Sequence, residues 1–149
     1  TVDSAKLVLN SGTIVNEGSY GVYCMNGATA IVNGGEITSH DSALSGNNTT
    51  GTMYFEINGG TFKLINWEEA PKDDNGNLKF LLNCLDTNYK NGSANIIVTG
   101  GKFYDFDPSN CVAEGIGTSF VAEGYTSVMT TEIIDGVEHK VYEVKPING

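Results

Sequence analysis

The chain of 149 residues has no arginine and no glutamine, and its eight basic residues are all lysine. Without a guanidinium fork it lacks the side chain best suited to gripping carboxylate or phosphate at two points. With 18 acidic residues and a net charge of -10 it also lacks the basic stripe that a nucleic-acid backbone requires, so no nucleic-acid partner is expected. No apolar run approaches the roughly 20 residues that span a bilayer, which argues against membrane insertion. Thr1 to Lys6 does not resemble a signal peptide, and a chain opening on Thr instead of Met reads as a processed product or a fragment. Cys24, Cys84 and Cys111 are too few and too far apart for a disulfide framework, and no two have the spacing of a zinc site. No metal and no cofactor are expected.

What the chain does have is 19 Gly, 16 Asn and 14 Thr, with β-branched and aromatic residues in short runs between them. That mixture suits strands separated by tight turns and leaves little room for long helices. Asn47, Asn48 and Asn91 each begin an Asn-x-Ser/Thr sequon, which this composition produces by chance.

Four segments resemble one another: Leu7 to Ile14, Ala30 to Ile37, Phe55 to Phe62 and Ile96 to Phe103. With Gly12, Gly35, Gly60 and Gly101 taken as equivalent, the spacings are 23, 25 and 41 residues. The first two are the length of one solenoid coil, and the third is a coil with an insertion. Within each segment Leu7/Leu9, Ala30/Val32, Phe55/Ile57 and Ile96/Val98 recur with a period of two and so share one face, the core face. The position between them is Val8, Ile31, Glu56 or Ile97, and the charge of Glu56 marks this face as the outer one. A turn follows, led by Asn10, Asn33, Asn58 or Thr99, whose stacked side chains are expected to form a hydrogen-bond ladder. The glycines after it allow a positive φ. Ile14, Ile37, Phe62 and Phe103 then bring an apolar side chain back to the core.

Further strand-like runs at Gly21 to Met25 and Phe80 to Leu85 give each coil of about 23 residues the two or three strands a β-solenoid needs. An antiparallel sandwich is the alternative, but it has no reason to repeat one residue type at matched positions. The expected fold is all-β, a right-handed parallel β-helix of about four to five coils. Residues 1–124 would form the coils, with an inserted loop at about 63–79, and residues 125–149 a capping hairpin around Asp135-Gly136, laid across the open end of the core within the same domain. The start of the chain shows no comparable cap and is expected to be joined to, or packed against, something else.

On these repeats the chain resembles the pectate-lyase-like superfamily of right-handed β-helices. Its last third resembles the C-terminal end of β-solenoid proteins from gut bacteria and their phages. That likeness rests on Val98 to Phe103, Phe106-Asp107-Pro108-Ser109-Asn110 and Phe120-Val121-Ala122-Glu123-Gly124-Tyr125. It implies an extracellular, cell-surface or virion appendage protein and no particular reaction.

The insertion holds the only Trp and four of the acidic residues, so a carbohydrate-contacting edge is one reading, with Trp67 as stacking platform and Glu68, Glu69, Asp73 and Asp74 as hydroxyl acceptors. The other is a solvated loop with Trp67 folded back on a coil. Asp73, Asn75 and Asn77 echo the start of a calcium loop, but its later acidic ligand is missing.

Catalytic β-helices of that superfamily that attack polysaccharides use calcium with a basic residue, commonly Arg, or Asp pairs or triads on one face. The first set is unavailable here. Asp105 and Asp107 would share a face if they lay on a strand, although Pro108 and Ser109 favour a turn. His40 and His139 read as surface polar residues, and Cys24 and Cys84 as buried small hydrophobes. The functional expectation is a non-catalytic structural or binding module, with a polysaccharide-degrading enzyme as the alternative. Val8, Ile31, Glu56 and Ile97 form a mainly apolar outer stripe, on which assembly into a homo-oligomer such as a trimer, or docking on a larger virion or surface assembly, is expected.

Overall fold

The computed structural model describes residues 1–148, and the chain forms a parallel β-helix whose strands sort into three stacked sheets. The first sheet contains β2 (Lys6–Leu9), β5 (Thr29–Val32), β8 (Met53–Ile57) and β11 (Ala94–Val98). The second contains β3 (Thr13–Asn16), β6 (Glu36–Ser39), β9 (Thr61–Leu64) and β12 (Lys102–Tyr104). The third contains β1 (Val2–Asp3), β4 (Val22–Met25), β7 (Leu44–Asn47) and β10 (Leu82–Cys84). The first three coils run from the first sheet to the second to the third, the last has strands in the first two only, and every pairing among these strands is parallel.

Register follows from the period-two pattern, because a slip by one residue would turn every apolar side chain outward. Ala30, Val32, Phe55, Ile57 and Val98 are fully buried, while Leu7 and Leu9, at the end of the stack, are half-buried. In the second sheet Phe62 and Phe103 stack in parallel with ring centroids 4.9 Å apart. In the third, Gly46 lies between Cys24 and Cys84. A Cβ on Gly46 would collide with the end of the Met53 side chain, so the glycine makes room for a thioether in the core. All three cysteines are free and buried.

The corner between first and second sheets explains the paired glycines. A Cβ on Gly34, Gly59 or Gly100 would strike the backbone carbonyl oxygen of Asn10, Asn33 or Asn58 in the coil before it. The second glycine of each turn, Gly35, Gly60 or Gly101, has φ of 86°, 95° or 98°, which side chains rarely adopt. Ser11 takes the first glycine's place in the first coil, at the end of the stack.

The insertion starts later than the sequence suggests, since Lys63 and Leu64 complete β9. It then runs through residues 65–81 as a folded loop. The Lys72 ammonium donates to the carbonyls of Trp67, Glu68 and Ala70, and Asp73 Oδ1 accepts the backbone N–H groups of Asn75 and Asn77. Leu78 and Leu81 are buried. A short helix not anticipated from composition, α1 (Asp86–Asn91), leads into the last coil and ends at Gly92 with φ 82°.

The terminal hairpin, β13 (Tyr125–Ile134) and β14 (Val137–Pro146), turns at Asp135-Gly136 with φ of 50° and 80°. It is not laid across the open core. Instead β14 pairs antiparallel with β12 and prolongs the second sheet. The last coil is covered by residues 105–124, which bury Phe106, Cys111, Ala113 and Phe120. Gly149, included in the expected cap, lies outside the described residues.

Candidate binding cleft

Alternation along the second sheet sends Ile37, Phe62 and Phe103 inward, and their neighbours Thr38, Lys63 and Tyr104 outward. The hairpin adds Val141 opposite Tyr104, with His139 two residues before it on the same face. The insertion brings Trp67 over this face. Between them lies a cleft of about 310 Å³, walled by Lys63, Trp67, Tyr104, Asp105, Asp135 and His139 and by the apolar side chains Leu64, Ile65 and Ile134.

Its floor is ordered by polar contacts. His139 Nδ1 lies 2.7 Å from Asp105 Oδ2, and only 8% of the His139 side chain is exposed. The other carboxylate oxygen of Asp105 accepts the Lys140 N–H at 3.1 Å. The Asp105 N–H donates to the Lys140 carbonyl, and the Asp105 carbonyl accepts from Leu78 N, both at 2.7 Å. One residue thus joins the last coil, the hairpin and the insertion, and it does so at φ 58°, a conformation that Asp tolerates better than most residues. Trp67 meets the His139 ring at 73°, centroids 4.6 Å apart. The Tyr104 hydroxyl donates to Glu132 Oε2 at 2.6 Å, and Lys63 Nζ sits 4.9 Å from the Tyr104 ring centre while pairing with Glu36 at 3.6 Å. Burial, then the hydrogen bond to Glu132, pushes the Tyr104 phenol up to about 12, so it stays a neutral donor.

The residues singled out from the sequence do not converge here. Trp67 lines the cleft, half-buried against the core and His139 and not a free platform. Glu68, Glu69 and Asp74 are exposed and do not line it, and Asp73 spends its carboxylate on its own turn. His139, expected at the surface, is buried because Asp105 satisfies it and Trp67 covers it. Asp105 and Asp107 do not act as a pair: Asp107 Oδ1 accepts from Ser109 N–H and Oγ–H in a turn. His40 is half-exposed, 2.8 Å from Asp41. Reading outward from Phe62 and Phe103 by one position would have found Lys63 and Tyr104; nothing local flags the contact between Asp105 and His139, 34 residues apart.

Two other features lie outside the cleft. The ladder is continuous: Asn33 Nδ2 donates to Asn10 Oδ1 at 2.9 Å, Asn58 Nδ2 to Asn33 Oδ1 at 2.9 Å, and Thr99 Oγ1 to Asn58 Oδ1 at 2.8 Å. It runs along the exposed corner. Val8, Ile31, Glu56 and Ile97 stack in register, with Val8 and Ile97 44% and 39% exposed and the other two half-buried.

At the covered end of the core Cys84 donates its S–H to Glu114 Oε1 at 3.4 Å, while Glu114 Oε2 is buried with no hydrogen-bond partner. Burial, then the neighbouring Asp86 carboxyl, raises Glu114 to about 7. Burial also pushes the Cys24 and Cys111 thiols up to about 12 and raises Cys84, which makes all three poor nucleophiles at neutral pH. Among the described residues no group of three or more His, Cys, Asp and Glu side chains is placed to hold a metal ion. Comparison with protein-family models, with curated proteins and with solved structures gives no match.

Proposed function

We propose that the chain is a non-catalytic binding module of a bacterial cell surface or a phage appendage, a rigid solenoid that presents the Trp67–Tyr104–His139 cleft to a glycan. The observation that carries this reading is the cleft itself: three rings, apolar walls and a few fixed polar groups, with Tyr104 and His139 on strands of the second sheet and Trp67 packed over them from the inserted loop. Sugar rings offer apolar C–H faces to such walls and hydroxyls to donors and acceptors like Lys63 and Asp135. The resemblance to pectate-lyase-like β-helices and to solenoids of gut bacteria and their phages supports the extracellular or virion setting.

The alternative is a polysaccharide-cleaving enzyme, favoured by one contact, the imidazole of His139 held by Asp105 beside the cleft. A panel of polysaccharides, scored for retention of the protein and for new reducing ends or unsaturated products, separates the two. Retention without cleavage supports the binding module. Cleavage lost in His139→Gln would replace it with the enzyme, and absence of both would remove the glycan from the account.

A further inference from the structure

The second sheet ends on an open edge. β13 pairs on one side with β14 through all ten of its residues, and on its other side no strand pairs with it among the described residues. Ten residues make an edge about 34 Å long. The free edges of β2 and β3 at the other end of the stack are four residues each.

Natural edge strands of this length are usually blunted by lysine, proline or a bulge. Tyr125 to Ile134 has no lysine, no proline and an unbroken ladder with β14. Its one charge, Glu132, already accepts the Tyr104 hydroxyl. Val128, Met129 and Ile133 on it are exposed. On a chain of net charge -10 this is a stretch where a second copy meets little repulsion.

We infer that β13 is a self-association edge, pairing antiparallel with β13 of a second copy about a two-fold axis and joining the two second sheets into one. A two-fold axis normal to the sheet keeps each face on its own side, so residues of the same alternation set must lie opposite each other. Centring the pair on Thr130 uses nearly the whole strand. Thr130 then faces its own copy, Met129 faces Thr131, Val128 faces Glu132 and Ser127 faces Ile133. No charge opposes a like charge, and the self-opposed pair is Thr with Thr, a favourable cross-strand partner. The edge is separate from the outer stripe of the first sheet and does not depend on the glycan reading.

Thr130 is exposed, so charge placed there leaves the monomer's core untouched. Sedimentation of the full chain from about 10 µM to about 1 mM, with amide hydrogen exchange of β13, tests the pairing. The wild type should dimerise with rising concentration while β13 amides gain protection. Thr130→Lys and Thr130→Glu should each stay monomeric and melt where the dilute, monomeric wild type does, and a mixture of the two should dimerise again. A wild type monomeric throughout, or a dimer indifferent to Thr130→Lys but lost in Ile31→Lys, would overturn the inference; the latter would put the contact on the first sheet.

Discussion

Asp105 and His139 meet at 2.7 Å across 34 residues of sequence, and through this contact the terminal hairpin is fastened to the last coil beneath Trp67. Both side chains are largely buried, so removing one leaves the other's polar group without a partner. Asp105→Ala should lower stability by about 1–3 kcal/mol, and also forces Ala into a positive φ. Thermal melts of Asp105→Ala and Asp105→Asn check this. Asn tolerates the backbone and keeps an acceptor, so it should be the milder change, and equal melting temperatures for the two variants would contradict it.

The corner glycines make a sharper forecast. A Cβ at Gly59 would collide with the backbone carbonyl of Asn33, which cannot swing aside as a side chain tip can. Gly59→Ala should cost about 1–3 kcal/mol through forced displacement of the coil. Ser11→Gly, at the equivalent place where the stack ends, should be close to neutral. Denaturant midpoints measured for the pair decide the matter, and a Gly59→Ala protein as stable as wild type would mean that the coils do not stack in this register.

Asn58 is the middle rung of the ladder, accepting from Thr99 and donating to Asn33. Because the ladder lies along solvent, water replaces what is lost, and Asn58→Ala should cost about 0.5–1.5 kcal/mol, not the larger figure for a buried amide. Asn10→Ala, which breaks a single bond at the end, should cost less. Melting temperatures ordered the other way would show that the ladder carries no stability.

The coils were legible because stacking repeats a constraint: the same turn must pass the same carbonyl three times, and it leaves Asn-Gly-Gly twice and Thr-Gly-Gly once in the sequence. Inward and outward faces followed from alternation, with Glu56 showing which was which. The cleft was not legible in the same way. Trp67 stood out by rarity, but its partners Tyr104, Asp105 and His139 are set by how the insertion and hairpin fold back, which no local period encodes. The hairpin signal at Asp135-Gly136 gave the turn; that β14 would choose the edge of β12 instead of crossing the open core depended on what residues 105–124 already covered.

Glu114 makes stability depend on pH. Its carboxyl titrates at an ordinary 4.5 when unfolded and near 7 in the fold, where burial and Asp86 disfavour the charge. Between these values the folded chain binds more protons than the unfolded chain, so stability falls as pH rises. The contribution is whole below about pH 4.5, is lost on the way to about pH 7 and stays lost above it. Melting curves across this window should show a decline in the wild type that Glu114→Gln flattens. The same slope in both proteins would assign the decline to other groups.

Trp67 is the only tryptophan in the chain and lies in the wall of the cleft, so its emission reports on that site alone. Titrating the protein with the glycan that it retains, followed by Trp67 fluorescence, tests the central functional claim most directly. Binding in the cleft predicts a saturable change in emission, with the same midpoint as binding measured by calorimetry and a weaker midpoint in Tyr104→Ala. A glycan that binds by calorimetry while Trp67 emission stays constant to saturation would contradict it.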